Sequence, residues 1–520
     1  MKKDPFEHQA KEFKEHGLDK VRAIHWEQGT GKTYLALWEA EELYKQGLID
    51  AMFVLAPNGL HTNWVIYEIP ELVSIEHRSL AYQSKKSKTK YHQREVKDIL
   101  NYRDGLPIFT MSYDAIKTVA GKKAAKDFLS KRKCFYVCDE SNRIKTPSAK
   151  VTRTVVASGK YAEYKRTLCG TPITNTPFDI YTQFRYLEPD FWAKTGYGLA
   201  DYQDFKTFFG VWQKITRGDG DNQREFPLCV AYQNLHILSE LVASMSSRVL
   251  KEDVLKDLPP KLYSYRGFDM SPNQVKLYMD IQTEFMTEFE GEMVFTPQVI
   301  VRLLRLQQVL CGYLPTGDDK IMTPIDKGKN PRLQLLGEIT QDLPHKCIIW
   351  ARFIEDINQI CDMLGDRAVR WDGTVPMDER EDNKLRFKKE PWDKVQFLVA
   401  TPESMGEGHT LIEALTMIYY SNSYKLKERL QSEDRNHRAG QINQVNIIDL
   451  VANNSMDLDI ITALRRKFDS ASSVIDGKLR KWLLTYGGKD AIIAESNEEQ
   501  VINTESRNDE DAYELYRGLK

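Results

Sequence analysis

No apolar run in this chain of 520 residues approaches the roughly 18 residues that a membrane-spanning helix needs, so no membrane partner is expected. The opening stretch, Met1-Lys2-Lys3-Asp4-Pro5-Phe6, leads into no apolar signal core, and a cytoplasmic setting is expected. Cysteine is sparse: seven residues, an odd number, scattered and never spaced Cys-x-x-Cys. That argues against a zinc module and against a disulfide framework, and for a reducing compartment. Net charge is also lacking. Lys and Arg number 73 against 75 Asp and Glu, for −2 overall, so a nucleic-acid partner has to be met by a local basic groove rather than a global field. What is present suits a globular protein in water, with 41% hydrophobic and 28% charged residues. The length exceeds one ordinary domain and fits a two-lobed enzyme.

The most informative stretch is Trp26-Glu27-Gln28-Gly29-Thr30-Gly31-Lys32-Thr33. It follows an apolar run, Val21 to His25, that reads as a short buried strand, and precedes Tyr34 to Ala40, which reads as a helix. Strand, glycine-rich turn, Gly-Lys-Thr and helix together point to a phosphate-binding loop, the alternative being a structural glycine-rich turn whose lysine is solvated. Gly29 and Gly31, with Thr30 between them, let backbone N–H groups turn inward around an anion, and the helix N-terminus adds partial positive charge. Lys32 is placed to reach the β- and γ-phosphates, and the Thr33 hydroxyl to hold Mg²⁺. The strict pattern has Gly where this chain has Trp26. Upstream, Gln9 lies in an amphipathic helix running to about residue 17, and its amide can read an adenine edge.

Further buried strands near 51–56, 107–111, 134–138 and 166–169 alternate with helical stretches, the pattern of a doubly wound parallel α/β domain. The first of these ends at Pro57-Asn58-Gly59, after which Thr62 or Asn63 is expected to cap a helix. Residues 84–94 form a local basic cluster, either facing a phosphate backbone or simply solvated. The strand Cys134 to Cys138 runs straight into Asp139-Glu140. Open α/β sheets bind ligands beyond the carboxyl ends of their strands, which points to a functional acid pair, the alternative being an acidic pair at a helix N-terminus favoured by the dipole. Asp139 is expected to hold Mg²⁺, partly through water, and Glu140 to orient the attacking water.

From Phe178 to about residue 250 the chain is aromatic-rich and helical in pattern, broken by Arg217-Gly218-Asp219-Gly220-Asp221. The paired Pro259-Pro260 mark the clearest boundary, and 272–313 again reads as helical. A second alternating series, near 347–350, 368–371, 395–400, 417–420 and 445–450, implies a second α/β lobe without its own phosphate loop. Between its last two strands, Arg435 and Arg438 are three apart and share a face if the segment is helical. Aimed across an interlobe cleft at a γ-phosphate they form an arginine-finger arrangement, although a surface salt-bridge helix has the same pattern. The expected organisation is an ATP-binding lobe over 1–250 with a helical insertion from about 178, a second lobe over 251–480 with a helical insertion at about 272–313, and an acidic polar tail over 481–520.

Taken in order, these motifs resemble the motors of helicase superfamily two, and among them the Swi/Snf-like double-stranded DNA translocases, over roughly residues 5–470. Glu27 to Thr33 is similar to the family's first motif, in which position 26 is commonly Asp. Asp139-Glu140-Ser141-Asn142-Arg143-Ile144-Lys145 resembles Asp-Glu-Ala-His-Arg-Ile-Lys, and Cys169 to Asn175 resembles the third motif. Ile348 to Phe353 looks like the fourth motif and Trp371-Asp372-Gly373 like the turn after it. Thr401, Gly406 and Gly408 match the fifth motif, from which Met405 and Thr410 depart. Val249 to Lys261 resembles the linker between lobes, and Gln431 to Gln441 the sixth motif.

The resemblance implies two RecA-like doubly wound parallel-sheet lobes with helical insertions between them. It implies an ATPase that uses ATP and Mg²⁺ to move along or remodel duplex DNA with little sequence preference. Catalysis then falls to Lys32, Asp139, Glu140, Arg435 and Arg438. Nucleotide contacts fall to Gln9, Gly29, Thr30, Gly31, Lys32, Thr33, Gly408 and Gln431, metal contacts to Thr33 and Asp139, and nucleic-acid contacts to Asn58, Ser112, Arg352 and Thr401. A monomeric bare motor of bacterial or phage type is expected, its acidic tail available to a protein partner. Three other readings are a strand-separating or branch-migrating helicase, an RNA-dependent ATPase, and a non-catalytic ATP-binding scaffold. The linker and sixth motif argue against the second; Lys32, Glu140, Arg435 and Arg438 together argue against the third.

Overall fold

Two all-parallel sheets carry the architecture. The computed structural model describes residues 1–217, 224–291, 297–316, 321–326, 328–405, 410–438 and 440–475. They fall into two units, the first chiefly Met1–Phe209 and Gln233–Lys256, the second chiefly Gly210–Tyr232 and Asp257–Asp469.

The first unit contains strands β1 (Val21–Ile24), β2 (Ala51–Ala56), β3 (His77–Ala81), β4 (Leu106–Ser112), β5 (Cys134–Asp139) and β6 (Tyr164–Leu168). A hairpin of β7 (Gly210–Arg217) and β8 (Arg224–Tyr232) comes next in the chain, then the short β9 (Ser246–Ser247). The sheet order is β3-β4-β2-β5-β6-β1-β9, parallel throughout. Ile24, Leu168 and Asp139 are in register at the carboxyl ends of β1, β6 and β5. Neighbouring strands lie about 4.8 Å apart, so the ends of β1 and β5 flank that of β6 across about 10 Å.

Every residue of β2, β4, β5 and β6 is buried. That is why β2, β4 and β5 read as largely apolar runs, both faces of a parallel sheet being covered, whereas β6 buries Arg166 against Glu39. Met52 and Val54 join a core with Leu35, Ala36 and Leu43 of the helix after the glycine-rich turn. On the opposite face Phe53 meets Phe109, Phe128 and Tyr136. The edge strand β3 is only half buried, so its pattern, His-Arg-Ser-Leu-Ala, gives no apolar run.

The second unit has β10 (Lys261–Phe268), a small hairpin of β11 (Tyr313–Thr316) and β12 (Ile321–Pro324), then β13 (Cys347–Trp350), β14 (Ala368–Trp371), β15 (Phe397–Ala400), β16 (Thr416–Tyr419) and β17 (Val445–Ala452). Its main sheet is ordered β10-β17-β16-β13-β15-β14 and is also parallel. Alternation sorts the side chains: Ile348, Leu398 and Met417 pack with Phe387, while Ile349, Val399 and Ile418 pack with Leu336, Ile357 and Ile360. Helices Pro272–Gly291 and Pro297–Leu310 fall where 272–313 reads as helical.

Two local expectations are corrected. The stretch from 178 to 250 is not helical throughout, since 210–232 contains the β7–β8 hairpin; Val211, Trp212, Ile215, Phe226 and Val230 favour the pleat over the helix. The segment Gln233–Lys256 groups with the first unit, and within it β9 pairs with β1. Neither Thr62 nor Asn63 caps a helix: the helix begins at Leu60, after Gly59 at φ +84°. The tail 481–520 lies outside the described residues. Among the described residues no helix is long and apolar enough to cross a membrane.

Candidate active site

The helix Glu7–His16 (α1) and the helix Lys32–Lys45 (α2) enclose the glycine-rich turn. Gly29 and Gly31 sit at φ +81° and +85°, where a Cβ is strained. At Gly31 a Cβ would also lie 2.1 Å from Gln9 Nε2. Lys32 opens α2, and its ammonium donates to the carbonyls of Trp26 (2.9 Å) and Glu27 (3.1 Å). The Thr30 hydroxyl donates to the Glu27 carbonyl at 2.7 Å. Thr33 is half-buried in the first turn of α2.

Gln9 packs onto the loop. Its side chain is buried, its amide nitrogen donates to the Gly31 carbonyl (3.1 Å), and its amide oxygen accepts from Phe6 N (2.7 Å). It braces the loop.

Trp26 explains its own departure from the glycine pattern. It is fully buried, and its indole N–H donates to Ser247 Oγ at 2.8 Å, tying the loop to β9. Glu27 takes the Lys251 backbone N–H at 2.8 Å, and Arg248 donates to the His25 carbonyl at 2.6 Å. His25 is fully buried with neither ring nitrogen hydrogen-bonded. Burial, with the Arg248 charge beside it, lowers its pKa to about 3, so the ring stays neutral.

The acid pair stands at the end of β5, in a dense polar network. Asp139 Oδ2 accepts from the Trp64 indole (3.0 Å), its Oδ1 from Glu140 N (3.0 Å), and its carbonyl from the Tyr113 hydroxyl (2.8 Å). Glu140 adopts φ 51°, ψ 55°, a left-handed conformation that costs a non-glycine residue about 1–2 kcal/mol. Strain of this kind concentrates at functional sites. Asn142 stands where the resembling motif has His, and it links the pair to the next motif: its amide lies 3.2 Å from Glu140 Oε2 and 3.1 Å from the Thr171 carbonyl. One residue earlier, Gly170 is so close to the loop that a Cβ would meet Gln28 N at 3.3 Å. Loop, third motif and acid pair are therefore one connected structure. Lys145 and Asp179 extend it, with Lys145 Nζ 2.6 Å from Thr174 Oγ1 and Asp179 accepting from the Thr174 and Asn175 backbones.

Among the described residues no group of three or more His, Cys, Asp or Glu could hold a metal by itself. Mg²⁺ does not need one, because it takes one or two carboxylates and completes its shell with waters and phosphate oxygens. Asp139 and Thr33 fit that chemistry.

In the second unit the helix carrying Gln431 spans Leu426–Glu433 and stops there. Arg435 and Arg438 follow it in turns that end at Gly440 (φ +93°), so they do not share a helix face. Arg435 is buried, with its carbonyl bonded to Leu411 N at 2.8 Å. Arg438 is half-exposed, and its guanidinium donates to Thr410 Oγ1 at 2.9 Å. The segment is held from behind: Arg429 makes a bidentate pair with Asp449 (2.6 and 3.0 Å), bonds Glu433 (2.7 Å) and lies 3.5 Å over the Tyr419 ring. His437 lies 2.8 Å from the Pro259 carbonyl, which ties the segment to the residues before β10.

The nucleic-acid candidates differ in accessibility. Asn58 is exposed after β2, with its amide on Asp114 Oδ2 at 2.6 Å. Lys117 holds the Asp114 carboxyl below its usual range. Ser112 is buried, and its hydroxyl accepts from Ala115 N at 3.1 Å. Thr401 is buried and bonds Ser404 N at 3.3 Å, while Arg352 is half-buried with its guanidinium on Gln307. Gly406 and Gly408 lie outside the described residues. In the basic cluster, Lys85, Lys86, Lys88, Lys90 and Arg94 are all exposed, after the carboxyl end of β3.

Trp64 and Tyr113 are the site residues that sequence reasoning missed. Each follows a strand whose carboxyl end lies on the same edge as the acid pair: Trp64 follows β2, which pairs with β5, and Tyr113 follows β4, one strand further out.

The family model of the SNF2-related domain matches residues 24–312, and that of the helicase conserved C-terminal domain matches residues 331–440. Human chromodomain-helicase-DNA-binding protein 8 is 25% identical over 476 residues, which cover 86% of this chain and 17% of that protein. The DNA annealing helicase and endonuclease ZRANB3 of Bos taurus is 25% identical over 362 residues, 68% of this chain and 31% of that protein. The SWI2/SNF2 ATPase core of Sulfolobus solfataricus in complex with dsDNA aligns over 98% of each chain at 20% identity, with a TM-score of 0.39. The chain spans about a fifth of the length of the first curated relatives it matches.

Proposed function

This chain belongs to the SNF2-related family, and from that premise we propose that it is an ATP-driven motor acting on duplex DNA, with little sequence preference. The observation that carries the reading is the continuity of phosphate loop, Gly170-Thr171, Asn142 and the Asp139-Glu140 pair along one sheet edge. A structural turn with a solvated lysine requires no such connection.

In this reading the backbone of Gly29 to Gly31 and the start of α2 receive the ATP phosphates, and Lys32 leaves the Trp26 and Glu27 carbonyls to join them. Thr33 and Asp139 would hold Mg²⁺, which would supply neutralisation of the phosphate charge. Glu140 orients the attacking water, and Arg435 and Arg438 stabilise the charge that develops on the transferred group. Gln431 contacts nucleotide. Asn58 and Arg352 bind nucleic-acid phosphates, while Ser112 and Thr401 shape the turns beside them.

The test is the ATPase rate without nucleic acid and with duplex DNA, single-stranded DNA or RNA, alongside Lys32→Ala and Glu140→Gln. Duplex DNA should stimulate most, and both variants should lose turnover. Equal rates with and without nucleic acid would refute the motor, and stronger stimulation by RNA would refute the duplex assignment. A fork-unwinding assay then separates translocation from strand separation.

A further inference from the structure

Asp139 is held by two aromatic side chains that no phosphate-binding pattern includes. The Trp64 indole is buried and donates to Oδ2. An indole N–H only donates, so it favours the ionised carboxylate and fixes one oxygen. The buried Tyr113 hydroxyl donates to the Asp139 carbonyl, and burial raises its pKa well above the ordinary phenol value, keeping the proton in place.

Both residues belong to segments that carry nucleic-acid candidates. Trp64 lies on the helix that starts just after Asn58-Gly59, and Tyr113 directly follows Ser112. The two segments are braced together. Asn58 donates to Asp114, Tyr113 N to the Ala56 carbonyl (3.2 Å), and Thr110 Oγ1 to the His61 carbonyl (2.7 Å). Trp64 also opens a widened turn, Trp64–Glu68, in which Ile69 N bonds the Trp64 carbonyl five residues back. Pro70 accounts for it: the ring crowds the carbonyl four residues earlier in a regular helix. Widened turns of this kind frequently accompany function.

We propose that Trp64 and Tyr113 are positioning residues that clamp Asp139 and transmit nucleic-acid contact at the Asn58 and Ser112 segments to the metal carboxylate. A phosphate that takes the Asn58 amide displaces Asp114, and the braces pass the shift to the two aromatic donors. The inference rests on the reading of Asp139 as the Mg²⁺ ligand.

The experiment uses the full chain with Trp64→Phe and Tyr113→Phe. Binding of a fluorescent ATP analogue is titrated with Mg²⁺, and turnover is compared with and without a mixed-sequence duplex. Trp64→Phe should raise the half-saturating Mg²⁺ concentration by about tenfold, the effect of one charge-assisted hydrogen bond, and leave metal-free nucleotide binding unchanged. Both variants should lower the fold-stimulation by duplex while binding duplex as wild type does, measured by anisotropy. Unchanged Mg²⁺ requirement together with unchanged stimulation overturns the clamp. If Trp64→Phe melts early, Tyr113→Phe, which removes one oxygen atom, decides by its stimulation ratio. A wild type that duplex DNA does not stimulate refutes the motor instead, and the Mg²⁺ titration still tests the clamp.

Discussion

Replacing Gly31 by Ala tests the loop most directly. Two costs act at this position. The backbone sits at φ +85°, where an L side chain loses about 1–2 kcal/mol. The new Cβ would stand 2.1 Å from Gln9 Nε2, so the Gln9 amide must leave, giving up its bond to the Gly31 carbonyl. A hydrogen bond of that kind contributes about 1 kcal/mol, and more when a buried group is left unsatisfied. The total is about 3 kcal/mol. In a Gln9→Ala background the collision is gone and only the backbone part, about 1.5 kcal/mol, remains. Amide hydrogen exchange in α1 and α2 reads both numbers as opening free energies, which suits a chain of two units better than a global melt. Equal costs of Gly31→Ala with and without Gln9 would refute the packing of Gln9 on the loop. A cost below about 0.5 kcal/mol in both backgrounds would refute the left-handed turn itself.

Three further predictions follow from other parts of the molecule. Asn142→Ala should lower turnover by at least about tenfold, with little change in nucleotide affinity, because it unties Glu140 from Thr171 without touching the loop. Asp449→Ala should destabilise the β16–β17 region by about 3–5 kcal/mol by exchange, since it leaves Arg429 buried without its bidentate partner. His25 makes the first unit sensitive to acid. Its folded pKa of about 3 lies below the unfolded value of 6.5, so the unfolded chain binds the extra proton and stability falls as pH drops from 6.5 towards 3. Between pH 7 and pH 5 the loss is about 2 kcal/mol, absent in His25→Leu. Taking the difference between the two proteins cancels Glu39, which burial pushes up to about 7 and which works in the opposite sense.

Much of the first site was legible because its residues are close in sequence to strand ends. The loop follows β1 and the acid pair follows β5, and both strands read as apolar runs because both faces are covered. What stayed illegible depended on contacts far apart in the chain. Trp26 looks like a defect until Ser247, in β9, is placed beside it. The bond from the Gln9 amide to the Gly31 carbonyl, 22 residues on, leaves no local trace either. Arg435 and Arg438 have helical spacing, but Leu411 N and Thr410 hold them in turns, and partners drawn from another segment leave no periodic trace. β10 hid behind Pro259-Pro260, since an edge strand with half-exposed residues shows neither strict alternation nor an apolar run.

Strand order is the other thing that local sequence does not reveal, and it arranges the chemistry. Along the carboxyl edge the order β3-β4-β2-β5-β6-β1 presents, in turn, the basic cluster, Ser112, Asn58, the acid pair, Gly170-Thr171 and the phosphate loop. Five strand spacings, about 24 Å, separate the lysines after β3 from the loop after β1, so no single side chain serves both. The two chemistries meet in the middle, where β2 lies directly beside β5, with Leu55 paired to Cys138. One spacing, about 5 Å, is all that separates the end of the strand that leads to Asn58 from the end that carries Asp139. An indole on the helix after β2 reaches across that gap, and a phenol after β4 reaches the same residue. The crossover that inserts β2 between β4 and β5 thus sets the strand leading to Asn58 directly beside the strand that ends in Asp139, where the Trp64 indole spans the gap.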